Sequence, residues 1–149
     1  DDYIASLRAL AQSEGVETMI AFPGPIPASE VGPTYLGAHV GLALYEPADP
    51  GNDSLSNKVL ECVSVGRPVL AGDLSQNRAF VTSRGVGWLC IVTPDGVADG
   101  IMHVLRDREE IPALARHCRR VGDDELTWEN GFERLEKAIG ESAERKDTQ

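Results

Sequence analysis

The chain has 149 residues, 42% hydrophobic and 26% charged, which suits one domain with a continuous core and excludes a disordered segment. Its formal charge of −10, from 24 Asp and Glu against 14 Lys and Arg, excludes a general nucleic-acid surface, because neutralising phosphates requires clustered cations. No window approaches the ~18 apolar residues that span a bilayer, and the opening residues lack the pattern of a secretory signal.

Cys62, Cys90 and Cys118 have no metal-ligand spacing, and each sits inside an apolar pattern, as expected of buried, reduced thiols in a cytosolic protein. His39, His103 and His117 are scattered, and none pairs with a cysteine at ligand spacing, so no structural metal is expected. The basic run from Arg116 to Arg120 reads as a solvated helix face.

In chain order, Asp2 is expected to cap a helix with Ile4, Leu7, Leu10 and Ala11 on one face, ended by Gly15. Val16 to Phe22 reads as a short apolar strand. Pro23, Gly24, Pro25, Ile26 and Pro27 form a stiff loop after it. A short helix from Ser29 to Ala38 follows, with Pro33 in its first turn or kinking it. His39 to Tyr45 is a nearly continuous apolar strand of the kind buried on both faces. Glu46 to Asn52 is an acidic loop.

Next comes the stretch with the richest pattern. Ser54 reads as a helix N-cap, Gly66 as the residue past the helix end, and Pro68 as a block to resumption. Leu55, Val59, Cys62 and Val63 share the face that packs on a sheet. Ser54, Lys58 and Glu61 form a second, polar stripe that begins where free N–H groups of a first turn point outward, a place suited to phosphate. By itself such a stripe also reads as a solvated Lys–Glu pair, worth a few tenths of a kcal/mol.

Val69 to Ala71 is a third strand, Asp73 to Ser75 a turn, Gln76 to Ser83 a helix ended by Gly85, and Val86 to Val92 a fourth strand. Thr93 and Pro94 start a helix carrying Val97, Ile101, Val104 and Leu105. Helices over Glu109 to Arg120 and Thr127 to about Glu144 complete the chain. Trp128, Phe132, Leu135 and Ile139 line one side of the last, a stripe that another surface must cover.

The alternation of strand and helix predicts an α/β fold, a Rossmann-like parallel sheet flanked by helices. Ligands of such sheets sit beyond the carboxyl ends of the strands, where the loops 23–27, 46–53 and 72–75 are expected to converge. Opening on a helix, the sheet lacks the strand expected before it, as in a fragment of a larger protein.

From Asp2 to about Ala143 the order of short motifs resembles the C-terminal, donor-binding domain of GT-B glycosyltransferases, specifically the retaining group 1 or GT4 family. Those motifs are Gly15-Val16, Phe22-x-Gly24-x-Ile26-Pro27, Tyr35-Leu36, Asn57-Lys58-x-x-Glu61, Gly66-Arg67-Pro68-Val69, Gly85-x-Gly87 and Thr127-Trp128-Glu129. The resemblance implies a nucleotide-sugar-binding domain over residues 1–144, with 145–149 a polar tail. Asp53 and Glu61, with seven positions between them, would be the donor-site acids, where the family usually has Glu at the first position.

By the same resemblance, Glu61 would bind the ribose, and Asp53 would approach the transferred sugar. N–H groups near Ser54, Leu55 and Ser56 would hold the diphosphate. Pro23, Gly24, Pro25 and Ile26 would flank the base, with Asn57 and Lys58 at the rim. The donor would be a UDP-, GDP- or ADP-sugar, with no cofactor and no metal. The partner would be an N-terminal acceptor-binding domain, through which any membrane contact would come, placing the protein in the cytoplasm or peripherally at a membrane. Two other readings remain: a non-catalytic regulatory or scaffold domain, and a sugar-nucleotide epimerase domain.

Overall fold

The structure, a computed structural model, describes residues 2–45 and 54–146, with side chains to residue 140. The chain divides into two compact units, Asp1–Val31 and Gly32–Gln149.

The first unit holds helix α1 (Asp2–Ser13) and a single 3-10 turn at Glu17–Met19. Gly15 leaves the helix at φ +68°, in the left-handed region where a side chain is strained, and the amide of Val16 returns to the carbonyl of Ala11 at 2.9 Å. The strand expected over Val16 to Phe22 does not form. Ile20 is extended, at φ −118° and ψ 125°, but a strand also needs a neighbour for its N–H and C=O groups, and the described residues of this unit supply none. Arg8 instead stacks over the Phe22 ring at 4.9 Å. Helix α2 (Ala28–Leu36) has Pro33 in its interior rather than its first turn.

The second unit is a three-stranded parallel sheet in the order β1 (Gly41–Ala43), β2 (Val69–Gly72), β3 (Gly87–Cys90). Leu42 pairs with Leu70, and Leu70 with Trp88, in one continuous register. Every residue of the central strand is buried, as a strand covered on both faces requires. Val69 and Ala71 point into a core built with Val59, Cys62 and Val63 of α3 (Asn57–Ser64), Phe80 and Val81 of α4 (Ser75–Arg84), and Cys118 and Val121 of α6 (Ile111–Glu125). Leu70 points to the opposite face, where Cys90 of β3 and Val104 of α5 (Pro94–Arg106) meet it.

The termini of these helices follow local rules. Thr93 caps α5 through its side-chain oxygen, which accepts from Gly96 N at 3.1 Å, and Pro94 opens the helix. At the end of α3 the amide of Gly66 reaches the carbonyl of Val63 and the amide of Arg67 that of Cys62, at 2.9 and 2.8 Å, a Schellman closure with Gly66 at φ +78°. Arg67 then donates to the carbonyls of Tyr35 and Leu36, fixing the C-terminal end of α2 beside β1.

Helix α7 (Trp128–Lys146) carries its apolar stripe outward: Trp128 is 84% exposed, and Phe132, Leu135 and Ile139 are also exposed. The cover expected for this stripe is not supplied by the described residues.

Gly66→Ala is expected to lower stability by about 1–2 kcal/mol, because a side chain is strained at that φ and its Cβ would meet Arg119 Cβ at 3.0 Å. Gly140→Ala, in α7 with open space around it, should raise stability by about 0.5–1 kcal/mol. Thermal unfolding of the two variants is expected to move in opposite directions. Equal shifts would contradict the assignment of Gly66 to this turn.

Candidate functional site

The carboxyl ends of the three strands gather Tyr45 after β1, Gly72 at the end of β2 and Asp73 after it, and Ile91 and Val92 after β3. Helix α3 begins at this rim. Its N-cap is Ser56, not Ser54 as expected, because Ser56 is held extended at φ −67° and ψ 128° and the helix starts only at Asn57. Ser54 is exposed, two residues upstream of that cap.

The Ser56 amide, expected to face an anion, instead donates to Asn77 Oδ1 at 3.2 Å. Asn77 Nδ2 in turn donates to the carbonyl of Gly72 at 3.1 Å. The side chain of Ser56 makes no cap bond, and its Oγ is buried with no hydrogen-bond partner among the described residues. The amides of Val59 and Leu60 both turn back to the carbonyl of Ser56. The helix itself therefore offers no partner to the N–H groups of Asn57 and Lys58.

Along α3 the two expected faces separate. Val59, Cys62 and Val63 are fully buried, Leu55 is half-buried, and Lys58 and Glu61 are exposed on the other side. Lys58 Nζ donates to the Tyr45 hydroxyl and lies 4.5 Å from the centre of its ring, which holds the cation over the rim. Glu61 accepts a long hydrogen bond, 3.4 Å, from the Tyr35 hydroxyl. Burial, with Cys62 and Glu61 beside it, pushes the Tyr35 phenol upward, so it remains a donor.

Glu61 also faces a shallow groove of about 390 Å³ whose walls include Leu60, Ser64, Leu126, Thr127 and Trp128. Its walls are mainly apolar, and its polar groups are the Glu61 carboxylate, the hydroxyls of Ser64 and Thr127, and a second carboxylate, Glu125, which is paired with Arg84 at 2.8 Å. That combination suits a ring that presents hydroxyl groups to Glu61 and a flat face to the apolar wall. A second depression of about 570 Å³, at Ser75, Arg78, Ala79, Thr82 and Ser83, is lined by α4 alone.

The second unit thus brings Tyr45, Ser56, Asn57 and Lys58 to the rim, and Tyr35 and Glu61 together further along α3, beside the amino end of β1. Pro23, Gly24, Pro25 and Ile26 belong to the first unit, where they form an irregular segment with Gly24 at φ +77°. Asp53 and the loop 46–53 lie outside the described residues. Among the described residues no group of His, Cys, Asp or Glu could hold a metal ion, and no helix is long and apolar enough to cross a membrane.

Three contributors escaped the sequence reading: Asn77, the Tyr45 partner of Lys58, and the Tyr35 hydroxyl. For Asn77 a signal existed. It shares the spacing of Phe80 and Val81, so a polar residue stands on the buried face of its helix. The tyrosine contacts join segments far apart in sequence, and no local pattern announces them.

This architecture, a parallel sheet flanked by helices, matches one Rossmann-like half of a GT-B fold. Among solved structures, sucrose-phosphate synthase from Thermosynechococcus elongatus superposes with a TM-score of 0.68 at 20% identity, over 91% of this chain. The match covers 34% of the synthase, so the chain spans about a third of that protein. At that identity the likeness shows the fold. No family model matches the chain, and no curated protein does.

The three cysteines are buried and unpaired with one another. Burial pushes Cys62 up to about 11 and Cys118 up to about 12, and raises Cys90 as well. The folded protein therefore holds these protons after the unfolded chain has lost them. The resulting stability is complete below the ordinary thiol value of 9.0 and is lost as pH rises through 11 to 12. At pH 8 in native buffer, a disulfide reagent should leave all three thiols unmodified over minutes, with reaction only after denaturant is added. Prompt stoichiometric labelling of the native chain would show the cores to be open.

Proposed function

We propose that this chain is the donor-binding half of a retaining glycosyltransferase, which moves a sugar from a UDP-, GDP- or ADP-sugar to an acceptor held by a separate N-terminal domain. The observation that carries this reading is Glu61. It projects from the second half of α3 into a groove walled by Leu60, Leu126 and Trp128, one turn from Lys58 and from the open amides at the helix start. A carboxylate accepts hydrogen bonds from two vicinal hydroxyls, as ribose presents them, and the adjacent helix N-terminus favours the phosphates that follow.

As the sugar leaves, negative charge builds on the diphosphate. The amides of Asn57 and Lys58 and the Lys58 ammonium are fixed where they would stabilise it, without a metal. Asp53 would approach the transferred sugar. Backbone of Pro23 to Ile26 would flank the base.

The exposed stripe of Trp128, Phe132, Leu135 and Ile139 supports a partner surface, since exposed apolar residues in register seek cover. We assign that cover to the acceptor-binding domain. Any membrane contact would come through that domain, with the enzyme in the cytoplasm or peripherally at a membrane.

In the full-length enzyme, Glu61→Ala should lower kcat/KM about 100-fold, the loss of two charge-assisted hydrogen bonds. Because Glu61 is exposed, the melting temperature should hardly move. Ordinary turnover in this variant would remove Glu61 from the site. An NMR titration of the chain with UDP, GDP and ADP complements it: shifts confined to 23–26 and 53–61 with one nucleotide would name the base.

A further inference from the structure

Among the described residues, Asn77 is the one polar or charged side chain in the buried core, with no exposed surface. A buried amide requires partners, and Asn77 has two on different elements: the Ser56 N–H before α3 and the Gly72 carbonyl at the end of β2. Gly72 is itself tightly held. A Cβ there would meet Val92 Cγ2 at 2.6 Å and the Tyr45 carbonyl oxygen at 3.4 Å, so it is wedged between the chain leaving β1 and the chain leaving β3. The amide of Asp73, next along, is bonded to the carbonyl of Cys90 at 2.9 Å. Through one side chain, the start of α3 is referenced to the carboxyl ends of all three strands.

The bond to Ser56 also explains the cap. With its amide committed to Asn77, Ser56 stays extended, and the first turn closes onto its carbonyl through Val59 and Leu60. The amides of Asn57 and Lys58 are left at the rim. We infer that Asn77 is a positioning residue that sets where these two amides lie, and hence how well the chain holds a diphosphate, without touching the nucleotide. This inference rests on the donor-site reading and adds to it the residue that fixes the geometry of the phosphate-binding turn.

A merely structural asparagine and a positioning one differ in what they weaken. Full-length protein is titrated with three diphosphate and nucleoside pairs: UDP and uridine, GDP and guanosine, ADP and adenosine. The pair that binds wild type is carried forward to Asn77→Ala. The Kd for the diphosphate should rise about tenfold, as for one lost set of charge-assisted hydrogen bonds, while that for the nucleoside, held at Glu61, stays within twofold. Ser56→Pro reaches the same bond from the other side: φ −67° suits proline, the amide is lost, and the ring Cδ takes the place of the N–H and displaces Asn77 Oδ1. It should reproduce the selective loss even where Asn77→Ala fails to fold.

In the 149-residue chain, hydrogen exchange of Asn77→Ala should show lost protection at Ser56, Val59 and Leu60, with Val69 to Ala71 still protected. Equal weakening of diphosphate and nucleoside, or no weakening of either, overturns the inference. Wild-type protein that binds none of the six ligands overturns the donor-site reading itself, and this inference with it.

Discussion

The closeness of α3 to the sheet is the constraint on which the rest depends. Cys62 occupies the space that a side chain at Gly41 would fill, so the helix lies directly on β1. On its other flank a Cβ at Gly122 would meet backbone atoms of Ser64 at 2.9 Å, so α6 lies equally close. With neighbours packed at interior density on both sides, α3 cannot slide or rotate without overlap. Its buried face fixes its exposed one, and Lys58 and Glu61 are presented at set positions because Val59, Cys62 and Val63 have nowhere else to go.

The polar contacts refine what packing has set. Tyr35 spans both kinds of surroundings: its ring packs on the core beside Cys62, and its hydroxyl reaches Glu61. At the other end of β1, exposed Tyr45 holds Lys58 through its hydroxyl and ring. Each exposed, chemistry-bearing side chain on α3 is therefore backed by a tyrosine from the segments flanking one strand. Such backing limits the rotamers that long side chains would otherwise explore in water.

Much of this fold was legible because its signals are local. Gly66, Gly85 and the Thr93-Pro94 pair end or start helices by backbone rules that act within a few residues, and all three stand where the sequence placed them. The strand-and-helix alternation from His39 onward gave the parallel sheet for the same reason. Two readings failed where the deciding partner is distant. Val16 to Phe22 has strand-like composition but no neighbour to pair with among the described residues of its unit. Ser54 looks as good a cap as Ser56 until Asn77, 21 residues beyond Ser56, selects between them. Of the candidate site, the faces of α3 were readable from periodicity. The residues that hold them in place were not, since buried polar contacts between elements leave only a faint mark, such as an asparagine in an apolar stripe.

The sheet's two faces are unequally defended. One rests on a cluster of eleven buried residues, seven of them from three helices, the other on Leu70, Cys90 and Val104 with half-buried neighbours. Opening costs least where the least apolar surface must be surrendered. The native ensemble therefore has a preferred seam: α5 can lift from the sheet in a sub-global fluctuation while α3, α4 and α6 remain assembled. In such a partly opened form the placement of Glu61, Lys58 and Asn77 is still intact, so the fluctuations most accessible to this protein spare the surface on which its chemistry is proposed to occur.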